Sequence, residues 1–151
     1  MDRPSRILSL VAIGGWLVSL LLPALSFRFD YQRDQILFGW QVLIVGYFHL
    51  FVLELSWLAN FTFWLLAWIL WFRRHWGRTI VIVAVITLLL TAQSAQIFIW
   101  DEFFEYPKAF AGYFVWVASN ATLCAAALVT LLSNKSTRGR QELTQSSIEK
   151  A

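Results

Sequence analysis

The longest apolar stretch in the chain, Ile36 to Phe72, constrains the fold more than any other feature. It reads ILFGWQVLIVGYFHLFVLELSWLANFTFWLLAWILWF and is closed by Arg73, Arg74 and His75. It holds no Lys or Arg, and Glu54 is its one acid. As a single straight helix it would run roughly 55 Å, against about 30 Å for the hydrocarbon layer of a bilayer. The stretch must therefore break into a membrane span and an apolar piece lying at the outer surface.

Composition supports a lipid solvent. Of the 151 residues 59% are hydrophobic and 14% charged, with a mean hydropathy of +0.62. A soluble domain carries about 25% charged residues. The net charge of +3 does not point to nucleic acid, because the basic residues flank the apolar runs, as membrane topology demands. The single cysteine, Cys124, lies inside an apolar run, which leaves no intrachain disulfide and no Cys-based metal or redox pair.

In chain order, Ile7 to Leu25 is the first apolar run. It is long enough for a span; the small residues Ala24 and Ser26 after Pro23 also allow a signal-peptide reading. Gly15 and Ser19 share a helix face that a neighbouring helix can approach closely. A polar break follows over Phe27 to Gln35. Residues 36–50 read as an interfacial or re-entrant helix, since Gly39 and Gly46 interrupt the run and Trp40, Tyr47 and His49 favour the headgroup layer.

Counting back from Arg73 places a second span over 51–72. The third is expected over 79–98, with Thr87, Thr91 and Ser94 on one face, and the fourth over 110–132. Gly112, Ser119, Ala126 and Ser133 recur every seven residues, a small-residue seam for close helix packing. The predicted fold is all-α: a four-helix transmembrane bundle over 1–133 with an extra outer helix between spans one and two. Residues 134–151 are polar and read as a mobile cytoplasmic tail. Arg3, Arg6, Arg73, Arg74, Arg78, Lys135, Arg138 and Arg140 fall on one side, which puts both termini in the cytoplasm.

Candidate functional residues are few. Glu54 is an ionisable group at or near a span, where an unpaired charge costs several kcal/mol. It reads either as a functional site or as an anchor for the outer helix through Arg28 or Arg33. His49, Asn60, Gln93, Gln96 and Asn120 are candidate polar positions. The amides either line a polar cavity or bond between helices. Trp57, Trp64, Trp68 and Trp71 form a helical stripe that reads as a surface for lipid or another chain. Arg73, Arg74 and Arg78 form a basic turn suited to lipid headgroups. The two histidines, expected on opposite sides of the membrane, make no metal site, and no phosphate loop, Ser-His-Asp arrangement or HExxH motif occurs. No cofactor is implied.

Three patches occur together: Gly39-Trp40-Gln41-x-Leu43-x-x-Gly46, Trp57-Leu58-Ala59-Asn60 and Gly112-Tyr113-x-x-Trp116-x-Ala118-Ser119. In these the chain resembles a loose group of small, uncharacterised bacterial four-span membrane proteins. The resemblance covers roughly Leu22 to Leu132 and implies a bacterial inner-membrane location. It carries over no functional residue. The expected function is a non-catalytic membrane interaction protein, such as a small subunit, a sensor or an immunity-type protein, with a protein partner or a second copy of itself. The alternative is an oligomeric channel or small transporter with Glu54 and the span amides along a polar path.

Overall fold

A computed structural model of the chain describes residues 3–29, 33–49, 55–73, 75–95 and 105–148. The order is α1 (Arg3–Leu21), β1 (Pro23–Phe29), β2 (Arg33–Phe38), α2 (Gly39–His49), a 3-10 turn (Leu55–Leu58), α3 (Ala59–Phe72), α4 (Gly77–Gln93), β3 (Glu105–Ala109) and α5 (Ala111–Ile148). The protein is mostly helical. Three helical segments are long and apolar enough to cross a membrane: Arg3–Leu21, Leu55–Phe72 and Ala111–Lys135. At 17 residues α4 is equally apolar in character but shorter, about 26 Å by its rise.

Boundaries differ from the sequence expectation in instructive places. The first apolar run does not stay helical to Leu25. Pro23 lacks the N–H that a helix interior needs, and β1 begins there. Residues 36–50 are not one outer helix: Ile36, Leu37 and Phe38 belong to β2, and the helix starts only at Gly39. The third apolar run is α-helical over Gly77–Gln93, starting two residues before the expected Thr79, and residues 96–98 of the expected span lie outside the described residues. The fourth continues past Leu132, so residues 134–148, expected as a mobile tail, extend α5 as helix.

The largest departure is a three-stranded antiparallel sheet of order β2-β1-β3. It joins the end of α1 to the starts of α2 and α5, so it caps one end of the bundle. Within its central strand Ala24, Leu25 and Ser26 are buried, with Leu37, Val42 and Tyr113 packed against Ala24 and Leu25. Backbone bonds fix the junctions: Gly39 N–H donates to Leu22 O at 3.0 Å, and Phe110 N–H to Ala24 O at 2.9 Å. Two glycines allow this crossing. A Cβ on Gly39 would run into the Ser19 carbonyl oxygen, and one on Gly112 would sit 2.7 Å from Pro23 O.

The core lies between α1, α3, α4 and α5. Its fully buried members include Phe63, Leu66, Leu70, Ile80 and Leu123. The closest pairing is α1 on α5. Ser5, Ser9, Ala12 and Ser19 are buried on α1, and Gly112, Ser119 and Ala126 on α5. At Gly15 a Cβ would lie 2.5 Å from Ser119 Oγ. Small residues win here because van der Waals contact, not water exclusion, drives helix association in lipid. The outward surface is correspondingly apolar, with Ile7, Leu17, Ile82, Leu89, Phe114 and Leu132 all exposed.

Candidate functional site

Two features stand out from the packing: an amide–indole knot below the sheet and an aromatic face on α3. The knot centres on Asn60, one residue into α3. Its Oδ1 accepts from Trp16 Nε1 on α1 at 3.0 Å and from Trp116 Nε1 on α5 at 2.9 Å. Its Nδ2 donates to Trp57 O at 3.1 Å. Trp57 in turn donates its indole N–H to Leu43 O of α2 at 2.7 Å. One asparagine thus joins α1, α3 and α5, and its neighbour brings in α2. Both lone pairs of the Asn60 carbonyl are used, which removes it from any role in coordinating a passing ion. Trp16 is further held by Phe63, stacked at 6.0 Å, and by Trp64, edge-on at 5.3 Å.

The aromatic face continues from the knot along the outer side of α3, starting one turn after Asn60 with Trp64. Trp64, Trp68 and Trp71 are 42%, 46% and 44% exposed, and Phe61, Leu65 and Phe72 flank them. The i, i+4 and i+7 spacing sets the three indoles in one row, while Phe63, Leu66, Ala67 and Leu70 turn inward. Trp64 and Trp68 lie near the middle of the Leu55–Phe72 segment, not at its ends. Their indole N–H groups, and that of Trp71, make no hydrogen bond to a described residue. Tryptophan normally sits at the membrane–water boundary, where its N–H meets water or headgroups. A row of three reaching the centre does not fit that pattern.

Other candidates behave differently. Trp57 belongs to the knot rather than to the exposed row. Asn120 is fully buried and donates to Trp116 O at 2.9 Å. Gln93 is half-buried at the end of α4. Thr87, Thr91 and Ser94 share the buried face the spacing predicts. Each hydroxyl donates to a carbonyl of the preceding turn, and Ser94 Oγ also meets Tyr113 OH at 3.0 Å. Cys124 packs as a small buried residue with its Sγ 3.5 Å from Ala84 O. Glu54, Gln96 and Arg74 lie outside the described residues, and His49 is placed only as the last backbone position of α2.

At the end remote from the sheet, Arg73 and Arg78 are exposed beside the first turn of α4. The Arg73 guanidinium lies 5.5 Å from the centre of the Trp76 ring, and no side chain caps the helix start. His75, Trp76, Gly77, Arg78 and Thr79 line a shallow groove there.

Among the described residues no group of three or more His, Cys, Asp or Glu side chains is placed to hold a metal ion. The Asn60 knot was not legible from sequence, since its partners lie 44 and 56 residues away. The sheet did leave a signal: Leu25-Ser26-Phe27-Arg28-Phe29-Asp30 alternates apolar and polar with a period of two. No protein-family model, curated protein or solved structure matches this chain.

Proposed function

We propose that this is a non-catalytic membrane interaction protein whose α3 face docks a transmembrane helix of a partner. The observation that carries the reading is the Trp64, Trp68 and Trp71 row: large rigid rings, exposed, reaching the middle of an apolar helix, with donors that have no acceptor in the described chain. In hydrocarbon an unmet N–H is costly, and tryptophan is enriched where protein surfaces meet. A partner helix with small residues and serine, threonine or carbonyl oxygens along one face would supply both contact and acceptors. The channel alternative loses one of its supports, because the Asn60 carbonyl is committed to two indoles.

The molecule crosses a bacterial inner membrane four times, α4 being the short third span, with α2 and the sheet at the outer surface. Both termini are cytoplasmic, and Arg73, Arg74 and Arg78 meet lipid phosphates. Support for this orientation comes from the arginines at the start of α1 and around the α3–α4 turn, the end opposite the sheet. A reporter fused after Ala151 that is active inside the cell agrees with it; activity outside rejects it.

The docking reading is tested by extracting the protein from its native membrane in polymer nanodiscs and measuring the particle's protein mass. The expected result is a stoichiometric complex well above the 17.5 kDa of one chain. That complex should disappear when Trp64, Trp68 and Trp71 are all replaced by Leu. A lone monomer before any substitution rejects the proposal.

A further inference from the structure

Asn120 poses a problem the packing does not solve. It has no exposed surface, and its Oδ1 has no hydrogen-bond partner among the described residues. The amide cannot turn over to help, because Nδ2 is held by Trp116 O at 2.9 Å. Ser9 Oγ is the other buried atom without a partner among the described residues, but a serine can change its χ1 rotamer and bring its hydroxyl to the carbonyl one turn back. A fixed carbonyl oxygen has no such remedy, and in a low-dielectric interior an unmet acceptor is expensive.

The register of α4 against α5 shows what surrounds it. The helices run antiparallel, and three contacts pin them: Ser94 with Tyr113, Ala84 with Cys124, and Gly77 with Leu131. Asn120 is one turn from Cys124 on the same face, on the side towards Tyr113. That puts it level with Thr87 and Thr91, which are also buried. Both threonines have spent their hydrogens, Thr87 on Val83 O at 2.8 Å and Thr91 on Thr87 O at 2.7 Å. Their oxygens keep lone pairs. Asn120 Nδ2 keeps one hydrogen, but it cannot reach its own Oδ1, so no side chain of the layer has a hydrogen left for that oxygen.

We propose that one water molecule occupies this layer, donating one hydrogen to Asn120 Oδ1 and the other to a threonine Oγ1, and so bridging α5 to α4 near the middle of the bundle. A buried water needs two to four polar partners, and Asn120, Thr87 and Thr91 provide them. The inference is independent of any partner on α3.

The test is water-edited solid-state NMR of protein in lipid bilayers with 15N in the asparagine side chains. The chain has only three, Asn60, Asn120 and Asn134, so assignment by substitution is direct. Asn134, half-buried in the polar extension, serves as the hydrated reference. At short mixing times the Asn120 amide should receive magnetisation from water. The signal should vanish in the Thr87→Val, Thr91→Val double variant and return in Thr87→Ser, Thr91→Ser. No transfer to Asn120 in the native protein overturns the proposal. So does transfer that survives the double valine variant, or an Asn120 bonded directly to a threonine without water contact.

Discussion

Helices α3 and α4 are two apolar helices joined by a short turn, yet they use their faces in different ways. Outward, α4 shows Val81, Ile82, Val85, Ile86, Leu88 and Leu89, all aliphatic and all exposed. That is an ordinary surface for lipid tails. The corresponding face of α3 shows Phe61, Trp64, Trp68, Trp71 and Phe72. Inward the contrast is reversed in kind. Thr87 and Thr91 of α4 return their hydroxyls to their own helix, whereas Asn60 of α3 reaches across to α1 and α5. The difference teaches that α3 is the organising helix. Its first turn ties the bundle together through Asn60 and the turns that follow offer indole donors outward, while α4 fills space between core and lipid.

Substitutions along the two helices should separate these roles. The largest loss is expected inside α3. Phe63 is fully buried and stacked on Trp16, so Phe63→Ala should cost about 3–5 kcal/mol in unfolding from micelles. Asn60→Leu should cost about 2–3 kcal/mol, because it leaves two indole N–H groups without an acceptor. The same measurement on Thr87→Val should show less than about 1 kcal/mol, since its direct bond lies within α4, Thr91 still offers the bridging water an acceptor, and interhelical terms of this kind are small in lipid. Smallest of all, Trp68→Leu should change the stability of the isolated protein by no more than about 0.5 kcal/mol, because its ring is nearly half exposed, its ring neighbour Phe72 is on the same helix, and Leu keeps an apolar side chain there. A large loss at Trp68, or none at Asn60, would erase the division between the two faces.

Much of this arrangement was legible in the sequence. Helical periodicity alone puts Thr87, Thr91 and Ser94 on one face, and all three are buried. Of the expected close-approach positions, Gly15 on α1 and Ser119 on α5 meet directly and Ser19 and Ala126 are buried, whereas Gly112 packs on the Leu22 and Pro23 carbonyls beyond α1 and Ser133 is half-buried. What composition concealed was the sheet. In a chain this apolar, Leu25 and Ile36 to Phe38 read as ends of apolar runs and Phe27 and Phe29 as part of the polar break between them, and Pro107 argues against a strand where β3 forms as the outer member of the sheet. The knot was hidden for a different reason. Asn60, Trp16 and Trp116 become neighbours only once three helices are assembled, and no local spacing encodes that meeting. The helical extension beyond Leu132 carries no apolar stripe to mark it, because its residues are polar and a helix without a buried face has the same composition as an irregular tail.

The claim that matters most is that the outward face of α3 meets protein where that of α4 meets lipid. It is tested by placing the photo-crosslinking residue p-benzoylphenylalanine at Leu65, within the aromatic face, or at Leu89, on the aliphatic one, and irradiating cells. Both positions are exposed and apolar, at 46% and 65%. A discrete protein adduct from Leu65, lost when Trp64 and Trp68 are replaced by Leu, with only lipid adducts from Leu89, is the predicted result. Lipid adducts alone from both positions would contradict it.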